Sequence, residues 1–467
     1  MRFRTAAMLL TLAAFALRAY GLHHKSFWLD EVDAISMAGE PLRQQVRKLA
    51  AIGENGPLFF ILFKGWIALA GTSEFGARYL SCGASTLAVP LVGALARRLT
   101  HSAPIAIAAA ALAAASPFYV WYAQDAKMYP LYAALALAAQ YALLRALSRG
   151  GAWWWVGYAV ASSFALYVHL FAALQIGANT LVGLLYVTRR RWRSFALATA
   201  ALVLPYVPIA VWQAPVLAQG ARVGYQPVAL PSMVLALGEQ LTWHLDVAPP
   251  RSLLVPLLAV IALGVWHLLD VAPRAAAAVG IWLVAPLLAV YALQFTVPVF
   301  RDRYLIPLLA PLLIACAAAV CLRPAALALP AAAFMCVSWL YGMAHRPPNP
   351  DYRAAAAYVA REYRPGQRIG FLAEYAERPF GFYYRRDWGT YEKANLPYTN
   401  YPGTTEQDGL AAAARALRAG ETLWIVRWED WFWDARDLTT QFLRNRGARE
   451  TRRLGFSGLI VTQWVLP

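Results

Sequence analysis

Three carboxylates, Asp30, Glu31 and Asp33, stand within four positions directly after Ser26-Phe27-Trp28-Leu29. One acid at the start of a helix would cap it and complement its dipole. Three are more than capping requires, and the surplus suits a general base or, with another carboxylate, a divalent cation. A second polar group lies in Tyr122-Ala123-Gln124-Asp125-Ala126-Lys127-Met128-Tyr129-Pro130. There Lys127 would keep Asp125 ionised, although an ion pair at a helix start would look the same. A third is Arg301-Asp302-Arg303-Tyr304. A guanidinium fork matches a phosphate oxyanion, and snorkelling to the membrane surface is the alternative. His169, in Tyr167-Val168-His169, could hydrogen-bond a ligand or cap a helix. Arg18 could reach a phosphate or snorkel.

The chain that must position these groups has 467 residues, 60% hydrophobic and 14% charged, too apolar for an ordinary soluble protein. Residues 345–467 hold 32 of its 67 charged side chains. The division expected is therefore a membrane domain over 1–344 and a soluble domain over 345–467, joined by the stiff segment Arg346-Pro347-Pro348-Asn349-Pro350. The four cysteines lie in apolar runs and define neither a disulfide framework nor a zinc cluster. The net charge of +17 comes largely from arginines beside apolar segments, which indicates topology-setting charge and not a nucleic-acid partner. The excess of arginine over lysine, with abundant alanine, suits a GC-rich bacterial gene.

Apolar runs of spanning length fall near 5–22, 79–96, 102–121, 128–147, 152–168, 170–188, 195–212, 252–269, 275–295, 304–322 and 325–343, about eleven in all. The run 57–70 is short and contains Lys64. With a cytoplasmic N-terminus and 57–70 lying in the interface as an amphipathic helix, Arg97, Arg98, Arg145, Arg149, Arg189, Arg190, Arg191, Arg193, Arg274 and Arg323 all fall inside. If that run crossed, all would fall outside. The same topology, without further adjustment, sends ten of the eleven acids of the membrane domain to the outer face, with Asp270 the exception. Charge at a membrane boundary needs solvent or a partner, so a polar outer cavity is expected there. The first outer loop, 23–78, carries the Asp30 cluster, and the C-terminal domain is also expected outside. That domain reads as α/β. Residues 352–363 and 408–419 are helical, and Ile369–Leu372, Leu423–Val426 and Leu459–Val465 are strands. Its aromatic clusters (Trp424, Trp428, Trp431, Trp433, Tyr383, Tyr384) read first as core packing.

In order and spacing these features resemble the GT-C superfamily of polyprenyl-phosphate-dependent glycosyltransferases. They are most similar to its bacterial branch that resembles protein O-mannosyltransferases and aminoarabinose transferases. The matching residues are Arg18, Trp28-Leu29-Asp30-Glu31, Asn55-Gly56-Pro57-Leu58, Gly71-Thr72-Ser73-Glu74 with Arg78, Tyr122 through Tyr129, Tyr167-Val168-His169-Leu170-Phe171 and Arg303-Tyr304-Leu305-Ile306-Pro307. They cover residues 1 to about 345. The chain departs from the branch at Asn55, near which a Lys or His is usual, at Gly56-Pro57 in place of a Pro pair, and at Lys127 in place of Arg.

The resemblance implies a polytopic α-helical membrane protein with a C-terminal α/β domain, in which Asp30 is the catalytic carboxylate, Glu31 its partner and Asp125 a second acidic site. Arg303 would contact the lipid phosphate. Arg301, Lys127, Tyr129, His169, Asn55 and Arg18 complete the candidates for substrate binding. No cofactor is demanded, and a divalent cation (Mg or Mn) at Asp30 and Asp125 is the one left open. The expected partners are a polyprenyl-phosphate-linked sugar, membrane lipid and an acceptor glycan, lipid or protein, at a bacterial inner membrane. Two other classes compete. A transporter or flippase would place ionisable groups at the midplane, which this chain mostly avoids. A non-catalytic envelope assembly protein would leave the Asp30-Glu31 cluster unexplained.

Overall fold

Pro117 shapes the first part of the membrane bundle. It has no N–H to give to Ala113, and the helix Ala103–Ala115 breaks there, continuing as Pro117–Ala123 after a bend of 50°. Ser116 caps the second piece by accepting from the Tyr119 N–H. The carbonyls freed on Ala113 and Ala114 are taken by the guanidinium of Arg18, at 2.9 and 2.8 Å. Arg18 also donates to Ser85 Oγ, which in turn donates to the Tyr119 carbonyl. In a bundle without water a broken ladder must be repaired by such side chains.

The computed structural model describes residues 3–49, 55–219, 226–243, 254–345, 349–384, 393–395 and 406–467. Glu54, Asp246 and residues 346–348 of the expected hinge lie outside the described residues. All eleven apolar runs are occupied by helix. Among the described residues seven helices are long and apolar enough to cross a membrane, or eight if the bent pair is one span. Phe3–Ala19, Ala152–Val168 and Ala172–Tyr186 are shorter helices of 17, 17 and 15 residues.

The run 57–70 forms a 13-residue helix, Leu58–Ala70. Its Lys64 donates to the carbonyls of Ala38 and Glu40 at the end of the helix Leu29–Gly39, so the lone cation of an apolar helix serves as a C-terminal cap. Small residues bring the longer helices together. At Gly264 a Cβ would stand 1.9 Å from the Ala315 carbonyl oxygen, so Leu254–Val271 and Leu309–Val320 cross backbone to backbone.

The chain divides into two units, Met1–Leu22 with Met37–Pro347, and His23–Ser36 with Pro348–Pro467. The sequence assigned 23–36 to the loop of the membrane domain, whereas in the structure this strap is grouped with the C-terminal unit. Ser26 Oγ donates to the Pro350 carbonyl at 2.6 Å, and the Phe27 N–H donates to the Tyr383 hydroxyl at 2.7 Å. The Phe27 ring meets Phe382 edge-on and Tyr383 in a stack. Arg353 donates to the carbonyls of His23 and His24.

The C-terminal unit is α/β, with strands β1 (Arg368–Leu372), β2 (Lys393–Asn395), β3 (Thr422–Arg427), β4 (Arg449–Phe456) and β5 (Leu459–Val465). The sheet order is β2-β1-β3-β5-β4. β1 is parallel to β2 and β3, and β5 is antiparallel to β3 and β4. Two cores result. One contains Tyr352, Phe371, Phe380 and Trp424, the other Leu423, Leu443 and Trp464. Trp424 and Tyr384 are thus packed in the interior, as the aromatic pattern suggested.

Candidate active site

The turn between the helices Pro117–Ala123 and Tyr129–Arg149 is held at three points. Gln124 donates to the carbonyls of Arg18 and Tyr20. The Lys127 N–H bonds the Asp125 carbonyl at 2.8 Å, which closes the turn. Ser81 Oγ donates to the Lys127 carbonyl at 3.0 Å. Asp125 is buried in this turn, while Lys127 is half-buried. Asp302, Arg303, Tyr129 and Asp125 all lie within electrostatic reach of the Tyr122 hydroxyl.

Arg303 enters from the short 3-10 helix Asp302–Leu308. Its guanidinium carbon lies 5.6 Å from the centre of the Tyr129 ring and 6.0 Å from that of Tyr304. This flat cation lies near the rings of both tyrosines, and a planar guanidinium in such a place suits an anionic ligand. Arg301, its neighbour, is exposed at the start of the same helix.

His169 completes the cluster from the end of Ala152–Val168. Its ring stacks on Tyr132 at 5.0 Å and meets Tyr304 at 5.0 Å and Phe171 at 5.5 Å. Nδ1 accepts from the Phe171 N–H at 3.2 Å, which leaves the proton on Nε2. Burial first, and then the charge of Arg303, push this imidazole down to about 3, so it is neutral at physiological pH. Its buried Nε2–H has no hydrogen-bond partner among the described residues. A neutral donor beside a cation, walled by tyrosines, can bind an oxyanion without competing for its proton.

Asn55 is half-buried and precedes Gly56, which sits against the last turn of the His169 helix. A Cβ on Gly56 would stand 2.2 Å from the Tyr167 carbonyl oxygen. Gly56→Ala should therefore push Asn55 off this turn and destabilise the protein by about 1–3 kcal/mol. Thermal unfolding in detergent checks this, and an unchanged transition would mean that the contact is not made.

The three acids near residue 30 have different surroundings. Glu31 is fully buried, its Oε2 accepting from the Trp28 N–H at 3.4 Å. Asp33 accepts twice from Arg378, at 2.9 Å each. Asp30 stands half-exposed in the first turn of its helix. Among the described residues no group of three or more His, Cys, Asp or Glu could hold a metal ion. Asp30 and Asp125, the pair left open for a cation, belong to different units.

The structure thus brings Asp125, Tyr129, His169 and Arg303 of the sequence-derived candidates into one cluster. It places Arg18 elsewhere. That guanidinium is fully buried and donates to the carbonyls of Ala14, Ala113 and Ala114 and to Ser85 Oγ, which suits a structural role. Tyr132 was not singled out in the sequence, because an aromatic residue within an apolar helix carries no signal of its own.

Comparison with known proteins agrees with this architecture. Residues 54–212 match the profile of the dolichyl-phosphate-mannose-protein mannosyltransferase family. No curated protein sequence matches the chain. The structure is similar to that of ArnT from Cupriavidus metallidurans in the apo state, with a TM-score of 0.58 at 12% identity over 98% of this chain and 97% of that one. The same protein bound to undecaprenyl phosphate gives a TM-score of 0.57 at 14% identity, with the same coverage of both chains. The archaeal oligosaccharyltransferase AglB from Archaeoglobus fulgidus, in complex with an inhibitory peptide and a dolichol-phosphate, gives 0.57 at 12% identity over 98% of this chain and 74% of that one. The chain is a multi-pass membrane protein with the fold of the GT-C glycosyltransferases. Among them it resembles the protein O-mannosyltransferases and the ArnT-type transferases.

Proposed function

We propose that this protein is an inverting membrane glycosyltransferase that moves a hexose or pentose from a polyprenyl-phosphate donor to an acceptor hydroxyl of an envelope glycan, lipid or protein. The observation that carries the reading is the Arg303 guanidinium flanked by Tyr129 and Tyr304, beside the donor Nε2–H of a neutral His169. The undecaprenyl phosphate of the ArnT complex and the dolichol-phosphate of the AglB complex are the kind of ligand such a cluster would take.

In this reading Arg303, with Arg301, Lys127 and Asn55, holds the donor phosphate, while His169 donates to one of its oxygens and Tyr129 packs the sugar or phosphate. Asp30 takes the proton of the acceptor hydroxyl. The acceptor oxygen bonds to the anomeric carbon as the bond from that carbon to the phosphate oxygen breaks. The lipid phosphate leaves as a stable anion, so no general acid is needed and one base suffices. Glu31 fixes the start of the Asp30 helix, and Asp125 orients the cationic side of the site. The reading places about eleven spans in a bacterial inner membrane, with the N-terminus cytoplasmic and the C-terminal unit periplasmic.

The test is purified protein in proteoliposomes given a radiolabelled polyprenyl-phosphate sugar and an envelope extract, without ATP or an ion gradient. Release of polyprenyl phosphate with label in the acceptor is expected. Movement of intact donor across the bilayer, with no bond cleaved, would indicate a flippase instead.

A further inference from the structure

The helix Tyr129–Arg149 begins beside Asp125, and its other end lies about 30 Å away at 1.5 Å per residue. A cavity of about 590 Å³ opens at that far end. Its polar lining comes from Arg98, His101, Ser148, Tyr186 and Arg274. Leu144, Leu147 and Val271 form an apolar wall.

Positive charge here is concentrated and unanswered. Arg98 feels the charges of Arg145 and Arg149, and Tyr186 lies within electrostatic reach of both Arg98 and Arg274. None of these four arginines has a carboxylate within ion-pair distance among the described residues. Arg145 has a buried Nε without a hydrogen-bond partner, its guanidinium carbon lying 4.8 Å from the centre of the Trp154 ring. Basic residues at helix C-termini complement the macrodipole, which explains one cation per helix end. It does not explain a cavity into which two different helices each bring an arginine, Arg98 and Arg274, with Arg145 and Arg149 close enough to act on Arg98. Like charges gathered at one cavity repel, and an anion that joins them relieves that repulsion.

We propose that this cavity binds the phosphate of an anionic membrane phospholipid. The Arg98 and Arg274 guanidinium groups hold the phosphate, and the Tyr186 and Ser148 hydroxyls complete its hydrogen bonds. The apolar wall, where Val271 is exposed, receives the start of the acyl chains. Basic pockets between membrane helices recognise lipid headgroups in this way. The apolar wall favours a lipid over free phosphate, which shares only the headgroup chemistry. The site is separate from the Asp125–Arg303 cluster, and its occupation does not depend on the reaction catalysed there.

The test compares Arg98→Gln/Arg274→Gln with Arg189→Gln/Arg193→Gln. The second pair removes the same charge from two exposed arginines that line none of the described cavities. Phosphatidylglycerol is titrated into protein in phosphatidylcholine nanodiscs and bound lipid is counted by native mass spectrometry. At about 5-fold per arginine, the first pair should weaken binding about 25-fold and the second less than 3-fold. An equal loss in both pairs would reduce the effect to general surface charge and overturn the proposal. Displacement of the lipid by millimolar inorganic phosphate would overturn it in favour of a free-phosphate site. Wild-type protein provides a measurement independent of variant folding. A phosphatidylglycerol with a photoreactive headgroup should label peptides containing Arg98 or residues 271–275, and labelling confined to other segments would also overturn it.

Discussion

Asp30→Asn protein that still assembles in membranes should transfer sugar at least 100-fold more slowly than wild type, with donor binding changed less than 3-fold. The amide is nearly isosteric but cannot accept the acceptor's proton, and a positioned general base is worth about 10²–10⁴ in rate. The structure sharpens this expectation by separating Asp30 from its neighbours. Glu31 is buried with its carboxylate on the Trp28 N–H, and Asp33 is paired with Arg378. Asp30 stands half-exposed in the first helical turn. Asp33→Asn should therefore leave turnover within about 3-fold of wild type, since an exposed ion pair contributes about 0–1 kcal/mol. Single-turnover assays with bound donor measure both. Near wild-type turnover by Asp30→Asn would remove this residue from the chemistry.

Arg18→Gln should act on stability and leave the chemistry alone. Removing the guanidinium strands the Ala113 and Ala114 carbonyls at the helix break and breaks the link through Ser85 to the Tyr119 carbonyl. Each buried group left unsatisfied costs about 1–3 kcal/mol, so a total loss of about 3 kcal/mol is expected. Thermal unfolding should show that loss, while the donor KM of the remaining folded protein should rise less than 3-fold. Arg303→Gln should show the opposite pattern, with a donor KM raised at least 10-fold and stability changed by less than about 1 kcal/mol. If Arg18→Gln instead weakened donor binding without lowering stability, the structural role assigned to Arg18 would be wrong.

The membrane domain, the short helix after Pro57 and the α/β character of the tail were legible from the chain alone. Each depends on a local pattern of length, hydrophobicity or alternation that the residues carry wherever they end up. β4 escaped that reading because Arg449, Glu450, Arg452 and Arg453 make it look like a solvated turn. It is an edge strand, where charge blunts the open side of the sheet. The fates of individual polar groups were decided only by tertiary structure. Arg18 looks like a phosphate ligand until helix Ala103–Ala115 breaks 96 positions later and offers it a carbonyl. Asp33 reads as one of three neighbouring acids, and only the fold pairs it with Arg378, 345 positions away. The proton on Nε2 of His169 and the close approach of Gly56 to Tyr167 likewise depend on backbone atoms brought near by folding. A side chain's type states what it can do. Which partners desolvate and occupy it is set by long-range packing, and no local spacing encodes that.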